Sequence, residues 1–153
     1  MEKMRLIVRD FEEADGLLPI WSTIYVELNK IAFPSETWTD ATSSILTIWI
    51  YAVCRLFSRS TDEIILPFMD GDYAIEIRRL SGEEAYVSCI APNNNLFAFG
   101  KIGLLHFGRQ LLSATSKLAM HYADRHQRNQ IVEVCTAAEK LREILSAKQT
   151  MTP

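Results

Sequence analysis

Cysteine is scarce in this 153-residue chain: Cys54, Cys89 and Cys135 are far apart, and no C-x-x-C pair occurs. A disulfide-stapled secreted fold wants an even and denser set, so the expectation is a reducing, cytoplasmic setting. Long apolar runs are missing too, since a membrane-spanning helix needs roughly 18 such residues. The first ten residues carry Glu2, Lys3, Arg5 and Arg9 around a short apolar alternation. They lack the apolar core and small-residue cleavage site of a signal peptide. There is no internal repeat, no low-complexity tract and no linker long enough to separate two domains. The G-x-S-x-G elbow, the G-x-x-x-x-G-K-[ST] phosphate loop and the G-x-G-x-x-G turn are absent, which removes three common routes to catalysis or nucleotide binding.

What is present is an ordinary globular composition, 48% hydrophobic and 23% charged. At this length a chain buries about two-thirds of its unfolded surface without disulfides or metal. A single domain over 1–148 is expected, with 149–153 as a fraying tail. The net charge of -3 hides an asymmetry. Residues 1–100 hold 8 Lys and Arg against 15 Asp and Glu, a net of −7, whereas residues 101–153 hold 8 against 4, a net of +4. Either the molecule has two differently charged faces, or helix surfaces simply attract Lys and Arg while turns attract Asp and Glu.

Periodicity supplies the elements. Met4, Leu6 and Val8 alternate with Arg5 and Arg9, and Ile24, Val26 and Leu28 with Tyr25 and Glu27, so two strands are expected around a loop holding Glu12, Glu13, Asp15, Gly16 and Pro19. From Ile45 through Trp49, Ala52 and Val53 to Leu56 the spacing becomes that of a helix face. Thr39 and Asp40 stand where they could cap this helix, and Arg55 and Arg59 suit its other pole. Leu46, Ile50 and Phe57 widen its apolar surface, so it should be covered on more than one side. Strands follow at 63–68, where Ile64, Leu66 and Phe68 alternate with Glu63, Ile65 and Pro67, then at 73–78 and 85–89. The turns between them fall at Asp70-Gly71 and Ser81-Gly82, the first of these a two-residue hairpin signal with both positions at positive φ. Pro67 lacks a donor, which places its strand at an edge or a bulge. The Pro92-to-Asn95 segment turns the chain into a short strand at Leu96–Phe99. Two helices close the sequence, from Gly103 to Tyr122 and from Ile131 to Leu145, around a polar break at Asp124–Asn129. Strands joined by short turns pair antiparallel. The expected fold is therefore α+β: an antiparallel β-meander of about five to six strands, with three helices packed mainly on one face.

Residues able to do chemistry are few. His106 and His121 would share one helix about 22 Å apart, too far to hold one metal. His121, Asp124 and His126 offer too few converging ligands. Asp70, Asp72, Glu83 and Glu84 sit in turns, where acids are favoured for turn geometry, though they could form an acidic rim at one end of the sheet. All three cysteines fall at apolar positions and read as small hydrophobes. Phe99-Gly100-Lys101-Ile102-Gly103 reads as a strand-to-helix turn, with a faint anion-cradle alternative. Arg109, Lys117 and Arg125 step about 80° apart around a helix, a solvating pattern with no phosphate-binding stripe. No catalytic residue, metal or cofactor is expected, and neither nucleic acid nor membrane as a partner. The first third of the chain is rich in aromatics: Trp21, Tyr25, Phe33, Trp38, Trp49 and Tyr51. Phe33-Pro34 and Trp38 read as rings that fix how the chain runs into the helix at 41–57, or as part of a protein-binding surface.

Phe33-Pro34, Trp38-Thr39-Asp40, Leu46 and Trp49, followed by Phe68-Met69-Asp70-Gly71-Asp72-Tyr73, give residues 23–80 a likeness to a class of small α+β proteins. The segment resembles small bacterial proteins of that kind, some of them similar to immunity proteins of polymorphic toxin systems. The resemblance implies a bacterial cytoplasmic protein whose task is to bind another protein. The expectation is thus a non-enzymatic binding domain, its partner a toxin domain, with Asp70, Asp72, Glu83, Glu84, Trp38 and Tyr73 as contact residues. One alternative is a small enzyme or ligand-binding domain with a pocket between sheet and helices, using His106 or His121. Another is a homo-oligomer, a homodimer for example, joined through the apolar helix at 41–57.

Overall fold

A computed structural model of the chain describes residues 4–12, 19–122 and 128–150. Within them the fold is α+β, with two antiparallel sheets and three helices. The first sheet holds β1 (Met4–Arg9), β2 (Ser22–Leu28), β3 (Ile31–Phe33) and β4 (Thr39–Asp40). Met4, Leu6 and Val8 lie opposite Leu28, Val26 and Ile24, so the alternation read from sequence becomes one buried face. β3 and β4 were not expected; at three and two residues they are too short for periodicity to register. Leu28 pairs with Ile31 across Asn29 and Lys30, whose φ angles of 53° and 65° are both positive. Such a turn matches the twist of the strands it joins. β4 then returns to the same side of β2, with Asp40 beside Ser22.

Helix α1 (Thr42–Phe57) is buried at twelve of its 16 residues. It lies against β5 (Glu63–Pro67), β2 and both other helices, α2 (Leu104–Tyr122) and α3 (Arg128–Thr150). Its apolar excess is thereby covered within the chain, and little of the surface invoked for self-association through 41–57 is exposed. The expected capping by Thr39 and Asp40 is corrected. The cap position is Ala41, without a side-chain cap. Instead Ser43 Oγ accepts from the Ile20 N–H at 2.9 Å and the Ser43 N–H donates to the Ile20 carbonyl at 3.3 Å. The fully buried Asp40 carboxylate accepts from the N–H groups of Ala41 (2.7 Å), Met69 (2.9 Å) and Asp70 (3.1 Å), and from the Trp38 indole (2.9 Å). Four donors offset the cost of burying this carboxylate, and together they tie the start of α1 to the 69–72 loop.

The second sheet is a meander in chain order, β5, β6 (Ala74–Arg79), β7 (Glu84–Ala91) and β8 (Asn95–Gly103). Pro67 ends an edge strand, where a missing donor costs nothing. The expected single meander of five to six strands is therefore two sheets of four strands each. A 16-residue helix between β4 and β5 carries the chain away, so those strands are not hairpin neighbours. The 70–71 hairpin forms, but the Phe68 N–H reaches the Tyr73 carbonyl at 3.0 Å and closes a four-residue loop, 69–72. Only Gly71 there has positive φ, 144°, and a Cβ on it would lie 3.0 Å from Trp38 Cη2. Gly100 to Gly103 continue β8 rather than forming a turn, and Leu104, the first residue of α2, donates to the Glu83 carbonyl at 2.8 Å. The anion-cradle alternative fails for that reason.

α2 runs along the edge strand β1, and Gln110 Oε1 accepts the Leu6 N–H at 2.9 Å. α3 packs on α1 and α2, and its side chains are described for 131–148. It includes Gln149 and Thr150, so helix extends into the stretch expected to fray. Residues 151–153 lie outside the described residues, as do Glu13, Asp15, Gly16, Asp124, Arg125 and His126. One cluster of buried side chains draws on both sheets and all three helices. Among the described residues no helix is long and apolar enough to cross a membrane.

Candidate interaction surface

Strand alternation gives the second sheet two faces. Ile64, Leu66, Ile75, Ile77, Val87 and Cys89 face the helices and are buried. Among the described residues no element covers the opposite face, and its residues fall into rows across the four strands. One row is Glu63, Arg78, Tyr86 and Lys101; the next is Ile65, Glu76, Ser88 and Phe99; the third is Pro67, Ala74, Ile90 and Leu96. Ile65 is 61% exposed, Tyr86 41%, Leu96 57% and Phe99 62%. These four line one hollow of about 400 Å³, floored by Glu76 and Ser88. Single exposed apolar residues are normal; several around one hollow mark a contact surface. A pair of charged contacts frames it: Arg78 Nε lies 2.6 Å from Glu63 Oε1, and Lys101 Nζ sits 5.6 Å from the centre of the Tyr86 ring. None of these residues is among the six contact residues expected from sequence. The signal was in the alternation, where Ile65 and Phe99 occupy slots that a solvated face would fill with polar groups.

At one end of this sheet a second cluster forms. Cys89 pairs with Ala98 and Ile90 with Leu96, which leaves Phe97 as the extra residue of a bulge. Its ring lies 5.5 Å from Phe33, which in turn lies 5.8 Å from Tyr73. Trp38 stands edge-on to Tyr73 at 5.0 Å and to Phe68 at 6.2 Å. Asp70 and Asp72 are exposed on the loop beside them, and Met69 is 42% exposed. Of the six contact residues expected from sequence, Trp38, Tyr73, Asp70 and Asp72 are thus brought together. Glu83 and Glu84 are not, and the single acidic rim is corrected. Successive hairpins of a meander turn at opposite ends, so the length of β6, about 20 Å, separates the two acidic loops. Glu83 is also engaged, its Oε1 lying 3.1 Å from Lys148 Nζ.

Among the described residues the remaining reactive groups do not converge. His121 is exposed and stacks on Phe11 at 4.9 Å. His106 Nε2 is buried without a hydrogen-bond partner, and neither ring lines the outer hollow. The space between sheets and helices, where the enzyme alternative placed its pocket, is filled by the core cluster. Burial pushes the thiols of Cys54 and Cys135 up, and that of Cys89 up to about 12, which disfavours the thiolate a nucleophile needs. Among the described residues no group of three or more His, Cys, Asp or Glu is placed to hold a metal ion. Comparison with protein-family models, curated proteins and solved structures finds no match to this chain.

Proposed function

We propose that this chain works by binding protein, and that its contact surface is the uncovered face of the second sheet. The observation that carries the reading is the set Ile65, Tyr86, Leu96 and Phe99, exposed around one hollow on an antiparallel face. Large rings and aliphatic groups of this kind supply most of the affinity at protein interfaces, while Arg78 and Lys101 provide a polar rim and Glu76 and Ser88 a polar floor that set orientation. A second reading draws on a different observation. Asp70 and Asp72 project beside the half-buried rings of Trp38 and Tyr73, a composition suited to a basic protein such as the toxin domain that the resemblance implies.

A photo-crosslinking residue placed at Phe99, at Asp72 or at the exposed Ser116 of α2 separates these readings in the native cell. A discrete protein adduct at Phe99, with none at Ser116, is the expected result. An adduct at Asp72 alone favours the acidic corner. Absence of a discrete adduct at both Phe99 and Asp72 overturns protein binding as the function.

A further inference from the structure

The order of charges across the exposed face names an occupant for it. Two copies can meet face to face about a two-fold axis lying in the interface and parallel to the strands. That operation sets β5 of one copy against β8 of the other, and β6 against β7, with every row preserved. In the first row Glu63 then faces Lys101 of the partner subunit, and Arg78 faces the ring of Tyr86 of the partner subunit. Opposite charges meet at both corners, and a guanidinium meets an aromatic face. In the second row Ile65 faces Phe99 of the partner subunit, apolar on apolar, and Glu76 faces Ser88 of the partner subunit, acceptor on donor. In the third row Pro67 faces Leu96 of the partner subunit. No like charges oppose one another in these three rows.

Resting on the reading that this face binds protein, we propose that it is the contact of a two-fold symmetric dimer of this chain. The strands pack in the aligned manner of a β-sandwich, and the interdigitating rings close the hollow on each copy. Four strands about 4.8 Å apart and three rows about 7 Å apart give a patch of about 20 by 20 Å, or about 400 Å² per copy, half the roughly 800 Å² per partner of a stable interface and in the range of weak, transient contacts. The dimer is therefore concentration-dependent and exchanges subunits. The acidic corner at Asp70 and Asp72 lies beyond the third row and remains free for another partner.

Sedimentation of the purified chain from about 1 to about 500 µM tests this, that range spanning the affinity expected of so small an interface. The expected result is a reversible monomer–dimer equilibrium. Glu63→Lys sets like charges against Lys101 of the partner subunit at two symmetric places and weakens the dimer at least tenfold; Lys101→Glu does the same. The double variant Glu63→Lys with Lys101→Glu restores association to within about threefold, since each swap compensates the other across the axis. Phe99→Asp, checked for native circular dichroism, abolishes the dimer. A chain that stays monomeric throughout overturns the proposal, as does a dimer indifferent to the charge swaps or one the double variant fails to restore. A monomeric chain that still gives an adduct to a different protein at Phe99 leaves the protein-binding reading standing and removes only the second copy as the occupant.

Discussion

Cys89 shows how one buried group couples stability to pH. It is fully buried on β7, and its thiol is pushed from 9.0 up to about 12 by loss of solvent. Below pH 9 the thiol is protonated in both folded and unfolded chains and contributes no pH dependence. As pH rises through the window from 9 to about 12, the unfolded chain releases this proton while the folded chain keeps it. Stability therefore falls across that window, by up to about 1.4 kcal/mol per pH unit from this group. Cys54 and Cys135, raised in the same direction, contribute to the decline with the same sign. Urea unfolding of the wild type and Cys89→Ala at pH values from about 8 to about 11 should show a shallower alkaline decline in the variant, whatever its constant core penalty. Equal slopes would show that Cys89 is not the source.

At the scale of elements, the two ends of α1 are held by parts of the chain that sequence spacing does not connect. Its first turn is bonded to Ile20 through Ser43, and its Leu56 carbonyl is met by Arg79 from β6. Arg79 continues the inward series of Ile75 and Ile77, and its side chain is only 4% exposed. It donates to the Leu56 carbonyl and, at 2.6 Å, to the Gly82 carbonyl in the next hairpin. A cation at a helix C-terminus complements the dipole, and these bonds pin the hairpin to the helix. Arg79→Met keeps the aliphatic bulk but removes the guanidinium donors from the Gly82 carbonyl and from the Leu56 carbonyl, which keeps only the Arg59 N–H at 3.2 Å. A loss of about 1–3 kcal/mol is expected, with Arg79→Lys recovering part of it because a compact ammonium lacks the guanidinium's fork of separately directed donors. Equal urea midpoints for Arg79→Met and wild type would refute this account. The alternation made the inward position of Arg79 legible; its partners were not, because Leu56 is 23 residues away in sequence.

For the whole molecule, the question is why two sheets share one core. α1 lies between them, and Trp49 on it is fully buried, edge-on to Phe68 at 5.2 Å and bonded through its indole to the Pro67 carbonyl at 2.8 Å. At the junction Phe33 of the first sheet meets Phe68 and Phe97 of the second. Neither sheet can lose its inner face without exposing the other's, so the chain should unfold in one step. Far-ultraviolet circular dichroism and tryptophan fluorescence should give superimposable urea transitions, and Trp49→Ala should lower both together by about 3–5 kcal/mol. Separated transitions would mean that the sheets are independent units.

Residue order alone determined the class of this fold. Period-2 alternation marked the main strands, the switch to helical spacing marked α1, and short connections forced antiparallel pairing, because each of these signals acts over a few residues. Only the tertiary structure decided that the strands divide into two sheets, because the short β3 and β4 are strands by virtue of their pairing with β2 rather than of their own pattern. It also decided which acidic turns are neighbours: Asp70 and Asp72 join Trp38 and Tyr73, whereas Glu83 and Glu84 go to the far end of β6. Alternation shows that a strand has two faces, but not which elements cover them. That Ile65, Tyr86, Leu96 and Phe99 remain uncovered among the described residues follows from α1 and α2 packing against the other face, with α3 stacked on those two helices, and that placement is a property of the whole fold.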